Sequence, residues 1–118
     1  HCSNLHPNAR LLNHYAAPQR ALTRCRIGTH YMVNGCFLEP NQILAQASQL
    51  KDIPGIIVQG RFDVLTPMGA AYALQEHWSN SEIMVVREAG HSATEPAMID
   101  ALLRATKTVA QRLRKDSL

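Results

Sequence analysis

The 118-residue sequence lacks the marks of a metal-binding, disulfide-stabilised or membrane-spanning protein. Its three cysteines are odd in number and form no C-x-x-C pair, so we expect neither a disulfide framework nor a zinc site, and a cytoplasmic, reducing compartment is favoured. The six histidines show no H-E-x-x-H or other metal spacing. We therefore expect no metal and no cofactor. No apolar run approaches the roughly 18 residues of a membrane span, and we expect no membrane partner.

The sequence also has no large excess of charge of one sign. The formal net charge is +3, which is too small an excess to indicate nucleic-acid binding. The basic residues cluster only at Arg112, Arg114 and Lys115, without interleaved aromatic side chains. Basic residues at the end of a helix are favoured by the helix dipole. The sequence therefore predicts a solvated helix terminus there and no nucleic-acid partner.

Two short apolar runs predict strands. Ile56-Ile57-Val58 follows a Pro-Gly break and stops at Gly60, and the second run extends from Glu82 to Val86. Such runs, bounded by turn residues, are typical of parallel strands that are buried on both faces. Strands of this kind need neighbouring strands and covering helices. We therefore expect an unfinished sheet and interpret the chain as the carboxyl-terminal part of a larger α/β protein.

Helices are predicted after each strand. Residues 67–78 form a crossover helix, with Thr66 as its cap, so the two strands should be parallel. A last helix begins at Thr94-Glu95-Pro96, and its apolar residues repeat with helical spacing. The face that we expect it to bury consists of Ile99, Leu102, Leu103, Thr106, Val109, Ala110 and Leu113.

The pattern upstream of the strands is weaker. Residues 8–28 predict one or two short helices that end at Gly28. The Asn34-Gly35 pair fits either a hairpin turn or a break between helices that line a pocket. Asn41 is predicted to cap the next short helix.

An acidic and an imidazole side chain follow the two predicted strands. Asp63 lies three residues after Gly60, and His91 comes directly after Gly90. The carboxyl ends of parallel strands share one edge of the sheet, where ligands bind. A histidine that acts as a general base needs an acceptor on its other ring nitrogen, and an aspartate supplies one. Taken alone, Asp63 could cap a turn and His91 could be an ordinary loop residue, but their joint placement favours a catalytic pair.

The order of these residues matches that of α/β-hydrolases. In that fold the nucleophile comes first, on a G-x-S-x-G turn, and the acid and the histidine follow. Asp63 and His91 appear in this order, and no G-x-S-x-G is present. We therefore expect the isolated chain to be inactive.

Residues 53–63, Gly90-His91-Ser92 and Ala105-Thr106 resemble the carboxyl end of proline iminopeptidases, which are α/β-hydrolase serine peptidases that release an amino-terminal proline. The family has a G-R-Y-D motif, a G-H-S motif and an A-T pair at similar separations. The resemblance covers most of residues 21–113 and is strongest from 53 to 96. It implies that Asp63 is the triad acid and His91 the triad base. It also implies a peptide substrate and an amino-terminal half that carries the nucleophilic serine.

The resemblance extends to the helical cap that covers the active site in this family. Ile27-Gly28-Thr29-His30-Tyr31-Met32 is similar to the family's I-E-N-H-Y-F stretch. Residues 1–50 are therefore expected to belong to the cap domain and residues 51–118 to the carboxyl-terminal part of the α/β-hydrolase core. The family glutamate that holds the substrate ammonium falls on Gly28, and the aromatic residue of the prolyl pocket falls on Met32.

Two substrate-binding residues follow from this resemblance. Met32 could line an apolar pocket as a flexible filler, and Glu39 could replace the absent cap carboxylate, although an exposed glutamate at a helix start is the simpler interpretation. Glu95 is expected to begin the last helix, where a carboxylate suits the positive end, rather than to serve as the acid. Two alternatives stay open. Gly28 favours an esterase or another small-molecule hydrolase, and a non-catalytic binding module could retain Asp63 and His91.

Overall fold

The structure is a computed structural model that describes Leu5 and residues 9–115. Asn8, where the first predicted helix begins, lies outside the described residues, as does Cys2. Helices and strands alternate along the carboxyl-terminal half, whereas the amino-terminal part is helical. The elements are α1 (Ala9–Ala16), α2 (Pro18–Val33), α3 (Gln42–Gln46), β1 (Gly55–Gly60), α4 (Met68–His77), β2 (Ser81–Val86) and α5 (Pro96–Lys115), with tight 3-10 turns at Gly35–Phe37 and Ala47–Leu50.

Helix α2 continues past the predicted end at Gly28, so that prediction is wrong. The glycine lies on an exposed helix surface with no other group near it, and the backbone stays helical through Val33. The helix ends where the Asn34 N–H bonds the carbonyl of Tyr31 at 3.2 Å. Gly35 then adopts a left-handed conformation with φ +57°. Of the two interpretations of Asn34-Gly35, the break after a helix is the one observed.

The predicted cap of α3 is also wrong. Asn41 occupies the cap position, but its backbone is left-handed and its side chain forms no capping hydrogen bond. The side chain of Gln42 turns back instead, and its Oε1 accepts the N–H of Glu39 at 2.9 Å. The local backbone conformation, which the sequence pattern does not specify, decides between these two arrangements.

Strands β1 and β2 pair in parallel, as predicted, with Gly55 opposite Ser81 and Gly60 opposite Val86. Helix α4 forms the crossover between them. Both α4 and α5 pack against the sheet, and they do not contact each other, which places them on opposite faces. In the described residues the sheet has two strands, and the strand interiors are only partly buried. This matches the expectation of an unfinished sheet.

Helix α5 does not bury the face that its sequence predicts. The buried residues of α5 are Met98, Ala101 and Ala105. Met98 and Ala101 pack against Val86 and neighbouring strand residues. Small alanine side chains let the helix approach the sheet closely. The larger residues Ile99, Leu102, Leu103 and Leu113 are exposed. Part of the predicted face instead lines an open groove of about 400 Å³ with Ile56 and Val58.

The basic end of α5 contacts the start of β2. Arg112 Nη2 donates to Glu82 Oε1 at 2.7 Å, so this residue is not simply a solvated helix end as predicted. Because the pair is exposed, it contributes little to stability. Among the described residues, no helix combines the length and apolar character needed to cross a membrane.

Candidate functional site

The two loops that follow the strands bring an acid and an imidazole together. Asp63 lies three residues beyond β1, and His91 lies five residues beyond β2. Asp63 Oδ2 and His91 Nδ1 are 3.0 Å apart. The Asp63 side chain is only 6% exposed, whereas that of His91 is 41% exposed. The structure therefore brings the sequence-predicted pair into contact at the carboxyl edge of the sheet, with the imidazole facing outward.

The loop after β1 folds around the Asp63 carboxylate. Its Oδ1 accepts the backbone N–H groups of Leu65 at 3.0 Å and Thr66 at 2.9 Å. Its Oδ2 accepts the Thr66 hydroxyl at 2.7 Å and the Gln59 side-chain amide at 3.4 Å. An aspartate that bonds the backbone two and three residues ahead is typical of a tight turn. Asp63 therefore caps the turn and contacts His91 at the same time, because each role uses a different oxygen.

These contacts keep the Asp63 carboxyl ionised. Burial raises the pKa of Asp63, but hydrogen bonds from Thr66, His91 and Leu65 outweigh burial and lower it from 3.8 to about 2. An ionised carboxylate only accepts hydrogen bonds. Asp63 Oδ2 therefore cannot supply the hydrogen in its 3.0 Å contact with His91 Nδ1. The Thr66 hydroxyl already donates its hydrogen to Oδ2, so the hydrogen of the His91 contact must be on Nδ1. In the neutral ring, Nε2 then has a free lone pair and can take up a proton.

Thr66 and Gln59 belong to the site, and sequence reasoning missed both. The sequence predicts Thr66 as the cap of α4, which is wrong: Pro67 occupies the cap position and the Thr66 hydroxyl bonds Asp63. The Gln59 amide also donates to the Thr66 carbonyl at 3.1 Å. Two signals could have identified them, namely a threonine three residues after an aspartate and a single polar residue inside an apolar strand.

The loop that carries His91 lies against the end of β1. The backbone N–H groups of Arg61 and Phe62 donate to the carbonyls of Val86 and Ala89 at 2.9 and 3.0 Å. A Cβ atom on Gly60 would overlap the carbonyl oxygen of Gly90. Gly60 is therefore needed for close approach of the two loops, rather than only as a strand end.

The outer nitrogen of His91 has no hydrogen-bond partner among Leu5 and residues 9–115. Ser92 is adjacent in sequence, but its hydroxyl lies 2.7 Å from that of Thr94. The described residues thus supply an imidazole whose Nδ1 lies 3.0 Å from the Asp63 carboxylate and 3.2 Å from the Thr66 hydroxyl, and no hydroxyl that bonds its outer nitrogen. In the same residues, no three His, Cys, Asp or Glu side chains come together as possible metal ligands.

The predicted substrate-binding residues lie in the helical part of the chain. Met32, near the end of α2, is 75% exposed, and Glu39 is exposed before α3. Among the described elements, α2 contacts α1 and the turn that follows it, and it does not contact the sheet. The structure therefore does not bring Met32 to Asp63 and His91, and substrate-binding roles for Met32 and Glu39 stay predictions.

Comparison with known proteins agrees with this architecture. A family model described as TAP-like protein, an α/β-hydrolase family, matches residues 29–111. The chain belongs to this α/β-hydrolase family. The match includes both loops of the site, and the predicted α/β-hydrolase fold class is confirmed.

Relatives of this hydrolase chain are named proline iminopeptidases. The chain is 46% identical over 87 residues to that of Xanthomonas citri, covering 73% of this chain and 28% of the relative. It is 47% identical over 90 residues to that of Xylella fastidiosa strain 9a5c, covering 75% and 29%. The protein of Arabidopsis thaliana is 36% identical over 104 residues, covering 87% and 27%. The sequence resemblance is thus confirmed, and the chain spans less than a third of the length of these curated relatives.

Replacing Thr66 by valine in the full-length protein tests its contribution to the site. Valine keeps the side-chain shape and the backbone N–H bond but removes the hydroxyl that Asp63 accepts. Loss of one hydrogen bond to a charged group is expected to lower kcat about tenfold. The pKa of Asp63, followed by carbon-13 NMR of its carboxyl, should rise from about 2 towards 3.8.

The matched control is Thr108→Val. The Thr108 hydroxyl bonds the Arg104 carbonyl within α5, far from Asp63 in sequence, so this variant should keep the parent kcat. A Thr66→Val protein in which both the pKa of Asp63 and kcat are unchanged would show that the hydroxyl does not support the carboxylate.

Proposed function

We propose that the complete protein is a serine exopeptidase that releases an amino-terminal proline from peptides. The observation that carries the proposal is the 3.0 Å contact between Asp63 and His91 at the carboxyl ends of two parallel strands. Support comes from relatives named proline iminopeptidases that are 46–47% identical over about three quarters of the chain. In this proposal, residues 1–50 belong to a helical cap and residues 51–118 to the hydrolase core.

In the proposed mechanism, the serine comes from a part of the protein that precedes this chain. His91 Nε2 takes the serine proton as the hydroxyl attacks the prolyl carbonyl, and the imidazolium then gives this proton to the leaving amine. Asp63 holds the Nδ1 hydrogen and stabilises the imidazolium charge. Water then repeats the sequence on the acyl-enzyme and regenerates the serine. Backbone amides outside this chain would hold the oxyanion.

The rest of the proposal concerns substrate and location. Peptides bind beneath the cap, where Met32 contributes an apolar surface and Glu39 a carboxylate for the substrate ammonium. We infer a cytoplasmic location from the cysteines, because Cys25 and Cys36 are free and exposed. No cofactor takes part in this chemistry.

An esterase, or another small-molecule hydrolase of the same fold, is the second candidate. It is favoured by Gly28, which stands where the proline iminopeptidase motif has its glutamate and offers no carboxylate to a substrate ammonium. Without this carboxylate, the free ammonium group of a substrate contributes less to its binding affinity.

The test compares three substrates on the full-length protein. Proline p-nitroanilide carries a free amine, its N-acetylated form does not, and p-nitrophenyl acetate is a simple ester. The peptidase proposal predicts that kcat/KM for the free amine exceeds that for the blocked form by about 10²-fold or more, since a group left unpaired in a buried site costs several kcal/mol. Rapid turnover of the ester with no turnover of either anilide would contradict the peptidase and support the esterase.

A further inference from the structure

Glu95 is a charged residue that is almost completely buried, with only 4% exposure. The sequence predicts a carboxylate that simply begins the last helix, but its side chain turns instead towards the loop that carries His91. Glu95 Oε1 accepts the N–H of Gly90 at 2.9 Å. Glu95 Oε2 accepts the N–H of Leu5 at 3.2 Å. One carboxylate thus connects Gly90, the residue before His91, with Leu5, which lies 90 positions before Glu95 in the sequence.

The contact with Gly90 fixes the backbone on one side of His91. The Gly90 N–H points to Glu95, while its carbonyl oxygen lies against Gly60 at the end of β1. The Glu95 backbone N–H also donates to the Ser92 carbonyl at 3.1 Å, which closes the loop on the other side of His91. The peptide groups that flank the imidazole are therefore held from two directions.

Packing alone does not account for a carboxylate at this position. A buried charge is costly unless it is paired or well hydrogen-bonded, and Glu95 forms no ion pair with a cation in the part of the chain that the structure describes. It is satisfied by backbone N–H groups and by its place before the first turn of α5. An apolar side chain of similar size would fill the space but would leave the Gly90 N–H without an acceptor.

We propose that Glu95 is a positioning residue for the catalytic histidine: its carboxylate orients the Gly90 peptide group so that His91 Nδ1 meets Asp63 Oδ2. This inference rests on the proposed serine-hydrolase function. Glu95 does not contact the reacting atoms. Its second oxygen accepts the backbone N–H of Leu5, so Leu5 and the His91 loop share one acceptor group.

The experiment compares Glu95→Ala and Glu95→Gln with the parent, all as full-length protein. Alanine leaves both N–H groups without an acceptor, and the freed loop should lower kcat by about 10²-fold while KM stays within about twofold, since misplacement by about 1 Å has an effect of this size. Glutamine keeps one acceptor oxygen but turns its NH₂ towards the other N–H. It should recover part of the loss, with kcat about tenfold below the parent.

Two matched controls separate positioning from stability. Glu88→Ala removes an exposed carboxylate from the same loop and should leave kcat unchanged. Ile83→Ala truncates a half-buried side chain in the middle of β2 and lowers stability without altering the loop. If Ile83→Ala, at equal loss of thermal stability, lowers kcat as much as Glu95→Ala does, the effect is one of stability and the proposal is overturned.

A measurement that needs no turnover completes the test. The His91 Nδ1 hydrogen bonded to Asp63 should give a low-field proton NMR signal, assigned by its loss in His91→Ala. Glu95→Ala should broaden or remove this signal, and Glu88→Ala should not. If the parent hydrolyses no substrate but the signal depends on Glu95, the hydrolase function fails and the positioning stands. If the parent is active and Glu95→Ala changes neither kcat nor the signal, the positioning is overturned and the function stands.

Discussion

Replacing His91 by alanine in the full-length protein is expected to lower kcat by about 10⁵- to 10⁶-fold, the size of effect that loss of a triad histidine produces. The alanine removes the imidazole, which bonds Asp63 Oδ2 through Nδ1 and presents Nε2 outward. Because the imidazole is 41% exposed, its removal should leave folding almost unchanged. The measurement is kcat on proline p-nitroanilide, or on p-nitrophenyl acetate if the ester is preferred.

His77→Ala is the matched control for this variant. His77 is exposed at the end of α4, and its Nδ1 lies 2.9 Å from the Ala73 carbonyl, away from the strand ends. Its kcat should equal that of the parent. A His91→Ala protein that turns over within tenfold of the parent would refute the assignment of His91 as the base.

Replacing Asp63 by asparagine is expected to lower kcat by about 10⁴-fold with little change in KM, because the histidine is then held in the wrong tautomer. The geometry specifies how this happens. The two backbone N–H groups of Leu65 and Thr66 retain the carbonyl oxygen at the Oδ1 position. The new NH₂ group therefore takes the Oδ2 position and donates to His91 Nδ1, which moves the ring hydrogen to Nε2.

The control for charge loss is Asp52→Asn, an exposed position in the loop before β1. It should keep the parent kcat and stability. If Asp63→Asn also retains kcat, the carboxylate only caps the turn before Thr66, and another group must orient the imidazole.

The sequence was sufficient to predict the carboxyl-terminal framework. The apolar runs of β1 and β2 are local signals, and the rule for parallel crossovers then brings Asp63 and His91 to one edge. Strand order and loop position are enough to place Asp63 and His91 next to each other, so this prediction does not require side-chain conformations. The same reasoning does not reach the rotation of α5 on the sheet, because small Ala101 and large Leu102 compete for the interface and the actual packing decides between them.

The supporting residues of the site were harder to predict. The Thr66 hydroxyl can cap a helix or bond a carboxylate, and the choice depends on the turn conformation after β1. The burial of Glu95 depends on the N–H groups of Gly90 and Leu5, one of which is distant in sequence. At Gly28, a common helix-stop residue lies within a continuous exposed helix, where local sequence signals do not fix the end.

The account depends on an Asp63–His91 pair that activates a serine from outside this chain. The most direct measurement is the crystal structure of the full-length protein after reaction with a fluorophosphonate, with the labelled residue identified by mass spectrometry. We predict a single labelled serine before residue 1 of this chain, with its Oγ within hydrogen-bond distance of His91 Nε2. Absence of labelling, or a labelled serine whose Oγ lies beyond the reach of His91, would contradict the account.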